Sequence, residues 1–481
     1  VSRSRFVALL LLPLLAACLP ARETLLPRLG MTVPGLHDFP ADFRPPLSAE
    51  TGQPMPGFGS DQASGVYRTP VIFVHGNTVS ARYWLPTRDY FLHQGYSRDE
   101  LWAFGYGWDN VRYFDSNELS VPSLERSVNS VINYLSKKRG VPVRQVDIVA
   151  HSLGVTVVRQ WLKQTNSYHR VRNFVGIAGA NHGTWTASSD SRGQQRLTAW
   201  ELAPGSPWLA QLNRGGETPG PTRYFMLYDG GGWADVFYPK PSQDSPALEG
   251  ARNLAYNREH GAWFDHMDLP RRPETLQPVL AFLSEVHEPL PRASPPQLLR
   301  EGEQLRSDQP DARLYCADDG LEPGAAVVPA QVWPLKPGRV SSCYAAHAGS
   351  GLASPLARYA GAEGYQPAGE LSLSASPAGG VYEQPQQVRL TASDPAAFIV
   401  YTTSGTSPDS GSPLYRPEHP LYVAAPLRLQ AVAITPDGRR SPPLVLDYDI
   451  SLEKVEAAHT LERQLDPEVP EPYAGRRKKG R

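Results

Sequence analysis

Ala150-His151-Ser152-Leu153-Gly154 is the segment that most restricts what this chain can fold into. An apolar-rich run, Gln145 to Val149, leads into it, and a helical pattern, Val155 to Leu162, leads out. Strand, sharp turn and helix with a serine at the apex is the setting of a nucleophile held on a tight turn. Small residues at 150 and 154 suit such a turn, which leaves no room for larger side chains beside the serine.

The surrounding pattern agrees. Val71 to Val74 and Leu101 to Phe104 are short apolar runs of the kind that form buried parallel strands. Leu124, Val128, Val131, Ile132 and Leu135 recur at helical spacing, and Gly140 stops the pattern. Further strands are expected at 145–150, 171–178, 222–228 and 251–256, and Leu276, Val279, Leu280 and Leu283 mark a last amphipathic helix. Strands alternating with helices predict an α/β domain with a mostly parallel sheet. From Leu371 the texture becomes short alternating runs separated by turn residues, which predicts a small β-sandwich. Residues 292–369 are rich in Pro, Gly and Ala and suggest no fold.

Hydrolysis through a serine needs a base, an acid to orient the base, and donors for the developing oxyanion. Ser152 is the candidate nucleophile. The base belongs on the loop before the last helix, where His260 and His266 both stand. His266 is preferred, because it opens the segment leading to Pro273, a residue suited to a first helical turn. The acid belongs after the strand ending at Tyr228. Asp235 is preferred there, since Asp229 can bond the turn's own backbone. His75-Gly76-Asn77 follows the first strand, so the backbone N–H groups of Asn77 and Leu153 are the oxyanion candidates. His75 and His151 read as structural. Residues 184–221 carry Trp185, Trp200 and Trp208, an insertion that either caps the site or packs on itself.

With these residues in place, residues 66–290 resemble the secreted bacterial lipases and extracellular polyhydroxyalkanoate depolymerases of the α/β-hydrolase fold. The likeness rests on Pro70–Asn77, Gly95–Ala103, Val146–Gly154, Ile177–Gly183, Ser245–Asn253 and His266 with Pro273 and Phe282. It implies a serine carboxylic ester hydrolase acting on lipid or polyester, with Ser152, Asp235 and His266 as a triad and no cofactor. The glycine run before Asp235 departs from the family pattern, and the long stretch from Asn253 to His266 keeps His260 open. Residues 371–450 resemble the C-terminal β-sandwich of chitobiases and β-hexosaminidases, through Gly380–Tyr382, Val400–Pro408, Pro413–Tyr415 and Leu429–Ala433. Ser404-Gly405 stands where an Asp-Gly pair is usual. That module implies a spacer or a carbohydrate contact. The competing readings are a glycan deacetylase or other carbohydrate esterase, and a non-catalytic surface lipoprotein that keeps a hydrolase fold.

The N-terminus adds a location. Arg3 and Arg5, an apolar stretch from Phe6 to Leu15, and Leu15-Ala16-Ala17 before Cys18 form an export signal. Leu15–Cys18 resembles a bacterial lipobox, which implies lipidation at Cys18 and an exported, envelope- or surface-anchored or secreted protein. Cys316 and Cys343 are then the pair expected to form a disulfide, and their spacing has no metal-site form. With 47 basic and 48 acidic residues, nothing points to nucleic acid. The expected division is a signal peptide at 1–17, a tether at 18–65, the α/β-hydrolase domain at 66–291, a connecting region at 292–369, the sandwich at 370–451 and a charged tail at 452–481.

Overall fold

The strands expected in the first half of the chain form one parallel sheet. The computed structural model describes residues 66–77, 79, 81–104, 117–187, 197–285, 294–423 and 426–450. The expected signal peptide, Cys18, the tether and the charged tail lie outside these residues. The strands are β1 (Val71–Val74), β2 (Leu101–Phe104), β3 (Val146–His151), β4 (Val171–Ile177), β5 (Arg223–Tyr228) and β6 (Arg252–Ala255). They form one sheet in the order β2-β1-β3-β4-β5-β6, every neighbour parallel. Every residue of β1 and β3 is buried, which is why neither alternates in polarity.

Helices connect the strands: α1 (Leu85–His93), α2 (Asn117–Arg139), α3 (Leu153–Thr165), α4 (Leu197–Glu201), α5 (Pro207–Asn213), α6 (Tyr256–His260) and α7 (Pro273–Ser284). α2 stops at Arg139, before Gly140 with φ +66°, and Pro273 occupies the first turn of α7. Strand order fixes where chemistry can happen. The chain moves from β1 outward to β2, then crosses back to lay β3 on the other side of β1. Beyond the carboxyl ends of β1 and β3 the connections diverge and leave a crevice, the usual ligand site of such sheets.

Residues 298–360 fold after all, as short antiparallel strands. β7 (Leu298–Glu301), β8 (Gln304–Ser307) and β10 (Trp333–Pro334) make one three-stranded sheet. β9 (Ala312–Ala317), β11 (Val340–His347) and β12 (Ala357–Ala360) make another. Cys316 and Cys343 face each other across β9 and β11 and are joined by a disulfide, their Cα atoms 4.2 Å apart. They share a small core with Leu305, Leu314, Leu335 and Ala345.

The last domain has a three-stranded sheet of β13 (Leu373–Ser376), β15 (Gln386–Ala392) and β17 (Leu421–Val423). A four-stranded sheet of β14 (Gly380–Tyr382), β19 (Leu444–Ile450), β18 (Leu427–Ile434) and β16 (Phe398–Thr402) lies against it. Val388, Leu390, Tyr401, Leu429 and Tyr448 fill the space between. One pair, β14 with β19, is parallel; the rest are antiparallel.

These C-terminal parts cover the outer face of α3, the helix that comes after Ser152. Lys163 and Gln164 of α3 are buried although both are polar. Lys163 Nζ donates to the carbonyls of Leu212 and Arg214 and lies 3.6 Å from Glu322. Gln164 Oε1 accepts from Thr403 N at 2.7 Å. A helix buried on all sides needs such partners for its polar groups, because an unpaired buried one costs about 1–3 kcal/mol.

Candidate active site

Ser152 sits where β3 becomes α3, with φ 55° and ψ −129°. Non-glycine residues rarely adopt positive φ, and holding one there costs on the order of 1–3 kcal/mol. The surroundings enforce it. Ser152 N donates to Ile177 O at 2.9 Å, tying the turn to β4. On the other side Gly154 lies against the end of β1, where an added Cβ would fall 2.6 Å from His75 O and 2.8 Å from Val74 O. Gly76 lies against the serine itself: a Cβ there would come within 2.7 Å of Ser152 Cβ and 3.3 Å of Oγ. The two glycines let the loop after β1 and the elbow after β3 touch. Asn77, next to Gly76, is exposed. Leu153 opens α3, so its N–H precedes the helix's own hydrogen bonding. Leu153 thus follows the serine directly, and Asn77 follows the glycine that lies against it.

The two aspartates after β5 do different work. Asp229 is absorbed by its turn: its carboxylate accepts from the backbone N–H groups of Gly231, Gly232, Trp233 and Asp235, and from Asn257 Nδ2 at 2.7 Å. That cradle shapes the glycine run and delivers Asp235 to its far side. Asp235 Oδ1 accepts from Phe237 N at 2.9 Å, and Oδ2 accepts from His266 Nδ1–H at 2.8 Å. Both side chains of the pair are almost wholly buried.

His260 is elsewhere. It is exposed at the end of α6, with its ring against Tyr256 at 4.4 Å. His266 reaches the elbow through His151, the residue before the serine. Their ring centroids are 4.6 Å apart, and His151 Nε2–H donates to His266 O at 2.9 Å. Donation from Nε2 leaves His151 Nδ1 bare, and that atom is buried without a partner. Burial, then the nearby His266, holds the His151 pKa well below 6.5, so it stays a neutral strut. His75 likewise: burial lowers it to about 3. Tyr83 stacks on His151 and donates to Met267 O, so the segment before α1 also grips the loop that carries His266. Phe237 packs on the other flank of His266 at 4.3 Å. Ser152 and His266 form no hydrogen bond with each other among the described residues; such contacts often tighten only when substrate binds.

The sequence pointed to Ser152, Asp235 and His266; the structure brings the last two into contact and sets His266 against His151, the residue before Ser152. The sequence also pointed to Asp229 as a residue that bonds the turn's own backbone, as it does, but it did not point to Tyr83 or to Phe237. The run Gly230-Gly231-Gly232 frees the backbone to fold around the Asp229 carboxylate. The insertion's tryptophans also differ in role. Trp200 and Trp208 are buried in the domain core, and Trp185 Nε1 donates to Val236 O on the acid loop. Among the described residues no group of three or more His, Cys, Asp or Glu side chains is arranged to hold a metal ion.

Residues 68–229 match the family described as Lipase (class 2), and residues 377–444 match the chitobiase/beta-hexosaminidase C-terminal domain. Solved structures to which the chain is similar include the mature lipase BlEst2 of Bacillus licheniformis. It is 18% identical, with a TM-score of 0.34, over 46% of this chain and 94% of that one. The esterase Pf2001 of Pyrococcus furiosus is 14% identical, with a TM-score of 0.31, over 45% and 82%. Phospholipase PlaB of Legionella pneumophila is 19% identical, with a TM-score of 0.28, over 37% and 43%. The parallel sheet is that of an α/β-hydrolase fold, and the chain is similar to class 2 lipases over residues 68–229 and to the chitobiase/β-hexosaminidase C-terminal domain over residues 377–444.

Proposed function

We propose that the chain hydrolyses carboxylic esters of lipids or polyesters through an acyl-enzyme on Ser152. The observation that carries this reading is the Asp235–His266 hydrogen bond, 2.8 Å long and buried, with the His266 ring against His151, the residue that precedes a serine at positive φ. His266 takes the proton of the Ser152 hydroxyl as its oxygen attacks the ester carbonyl. Asp235, bonded to Nδ1–H, fixes the tautomer that leaves Nε2 free to accept, and stabilises the imidazolium that forms. The N–H groups of Leu153 and Asn77 receive the negative charge on the carbonyl oxygen, and losing one such donor costs about 3–4 kcal/mol of barrier. His266 then returns the proton to the leaving alcohol, and water repeats the sequence on the acyl-enzyme.

An apolar substrate is favoured by the exposed side chains of the loops that carry Asp235 and His266. Trp233 and Val236 on the acid loop and Trp263 on the base loop are 71, 58 and 76% exposed. Large apolar side chains left in water around a site mark it for apolar contacts. Export and lipidation at Cys18 belong to the same reading and rest on residues 1–18.

Ser152→Ala is expected to abolish hydrolysis of a chromogenic short-chain ester and covalent labelling by a fluorophosphonate. A variant that keeps most of its turnover refutes the assignment.

A further inference from the structure

The C-terminal β-domain grips the segment between β4 and β5, and that segment leads to the catalytic pair. Tyr422 on β17 stacks on Trp200 of α4, the ring centroids 6.2 Å apart and the planes 23° from parallel. Nearby, Gln211 of α5 donates to the hydroxyl of Tyr401 on β16 at 2.9 Å. Past the end of α4, Leu202 O accepts from Thr184 N at 3.0 Å. Thr184 Oγ1 donates to Phe237 O at 2.9 Å, and Trp185 Nε1 to Val236 O at 2.5 Å. Phe237 in turn packs on the His266 ring and donates its N–H to Asp235.

The acid loop needs such anchoring. It has a run of three glycines, and no helix or strand between Tyr228 and Arg252. Asp229 secures its first half. Thr184 and Trp185 hold the second half, at Val236 and Phe237, next to the carboxylate that orients the base. α4 has five residues, too few to be stable alone, so its place is set by what packs on it. Its partners include Tyr422 from the β-domain and Asn117, whose N–H and side chain donate to Glu201. The β-domain is itself fixed: Thr403 N and Thr406 Oγ1 donate to Gln164 at the far end of α3.

We propose that Tyr422 is a positioning residue for the hydrolytic site: through Trp200 and α4 it holds the acid loop so that Asp235 faces His266. This rests on the ester-hydrolase reading above. It makes the β-domain part of the catalytic unit, with the turn at Thr403 to Thr406 committed to the hydrolase domain.

The test uses the full chain with Tyr422→Ala, Tyr422→Leu and Tyr422→Phe, and Trp200→Ala alone and combined with Tyr422→Ala. Active sites are counted by fluorophosphonate titration, so that rates refer to folded enzyme only. Removing the ring is expected to lower kcat per titrated site about tenfold, within the range that connecting residues exert. KM for a soluble short ester should change less than twofold, and fluorophosphonate labelling should slow in parallel with kcat. Tyr422→Phe, which keeps the stacking face, should restore both, and Tyr422→Leu should not. Trp200→Ala should add little to Tyr422→Ala, because both break one link. Unchanged kcat per site in Tyr422→Ala and Tyr422→Leu overturns the proposal. So does a loss confined to the number of titratable sites, which marks a purely structural role. Wild-type chain that neither hydrolyses nor labels overturns the ester-hydrolase reading, and this inference with it.

Discussion

Adding one methyl group at Gly154 should move the nucleophile. An ideal Cβ there would lie 2.6 Å from His75 O, 2.8 Å from Val74 O and 3.2 Å from His75 C, whereas ordinary contact begins at 3.4 Å. The shortfall is about 0.8 Å against the nearest oxygen, by subtraction. No flexible side chain can yield, because all three atoms are backbone. β1 cannot retreat either, being hydrogen-bonded to β2 on one side and β3 on the other. The first turn of α3 must therefore back away, carrying Ser152 and the Leu153 N–H with it. Overpacking of this kind costs roughly 1–3 kcal/mol. A displacement approaching 1 Å of reacting groups costs up to about a hundredfold in rate. Gly154→Ala is thus expected to lose about ten- to a hundredfold in kcat on a chromogenic ester, with KM far less affected, and to unfold several degrees lower by calorimetry. Gly380→Ala is the control, since its added Cβ meets nothing nearer than 3.6 Å. A Gly154→Ala enzyme with wild-type kcat would refute the claim that close approach of α3 to β1 sets the serine's position.

Burial and connectivity lead to two other outcomes. His75 is held near pKa 3 against an ordinary 6.5, so below pH 6.5 the unfolded chain binds a proton that the folded chain refuses. Stability from this residue is complete above pH 6.5 and falls by about 1.4 kcal/mol per unit below it. Urea unfolding from pH 7 to 5 should be steeper in pH for wild type than for His75→Asn, and equal slopes would contradict the buried neutral imidazole. The disulfide closes a loop between residues 27 apart, worth about 3–4 kcal/mol on chain-entropy grounds. Thermal unfolding of the Cys316→Ala, Cys343→Ala double variant should show a loss of that order, and a loss under about 1 kcal/mol would mean that packing alone holds the two strands.

The sheet was legible because its central strands are buried on both faces and read as apolar-rich runs, unbroken in Val71–Val74 and interrupted only by Asp147 in Val146–Val149. The elbow was legible because strand, serine and helix are adjacent in sequence. His266 was legible from its place shortly ahead of Pro273, which starts the final helix. The region from 298 to 360 was not, and the cause is physical. β7 and β8 have four residues each and bury few side chains, and β10 has two residues. Alternation over so short a span cannot be told from chance, and a disulfide supplies part of the cohesion that a longer apolar pattern would announce. β14 and β17, with three residues each, escaped for the same reason. The contact of Tyr422 with Trp200 joins residues too far apart in sequence for any local pattern to reveal.

Asp229 and Asp235 show how two like side chains six residues apart come to different ends. A carboxylate surrounded by backbone N–H groups is satisfied by them and has no capacity left to orient an imidazole. Asp229 accepts four such bonds and one from Asn257. Asp235 accepts one, from Phe237, and turns its other oxygen to His266. The first carboxylate thus acts on the second: by closing the glycine turn on itself, it sets the direction in which Asp235 leaves the turn. Removing the Asp229 carboxylate would leave four backbone donors and the Asn257 amide to find new partners. The loop would reach them only by changing shape, and Asp235 would no longer be aimed at His266. The position of Asp235 is therefore held from two sides, by Asp229 from within the loop and by Thr184 and Trp185 from without.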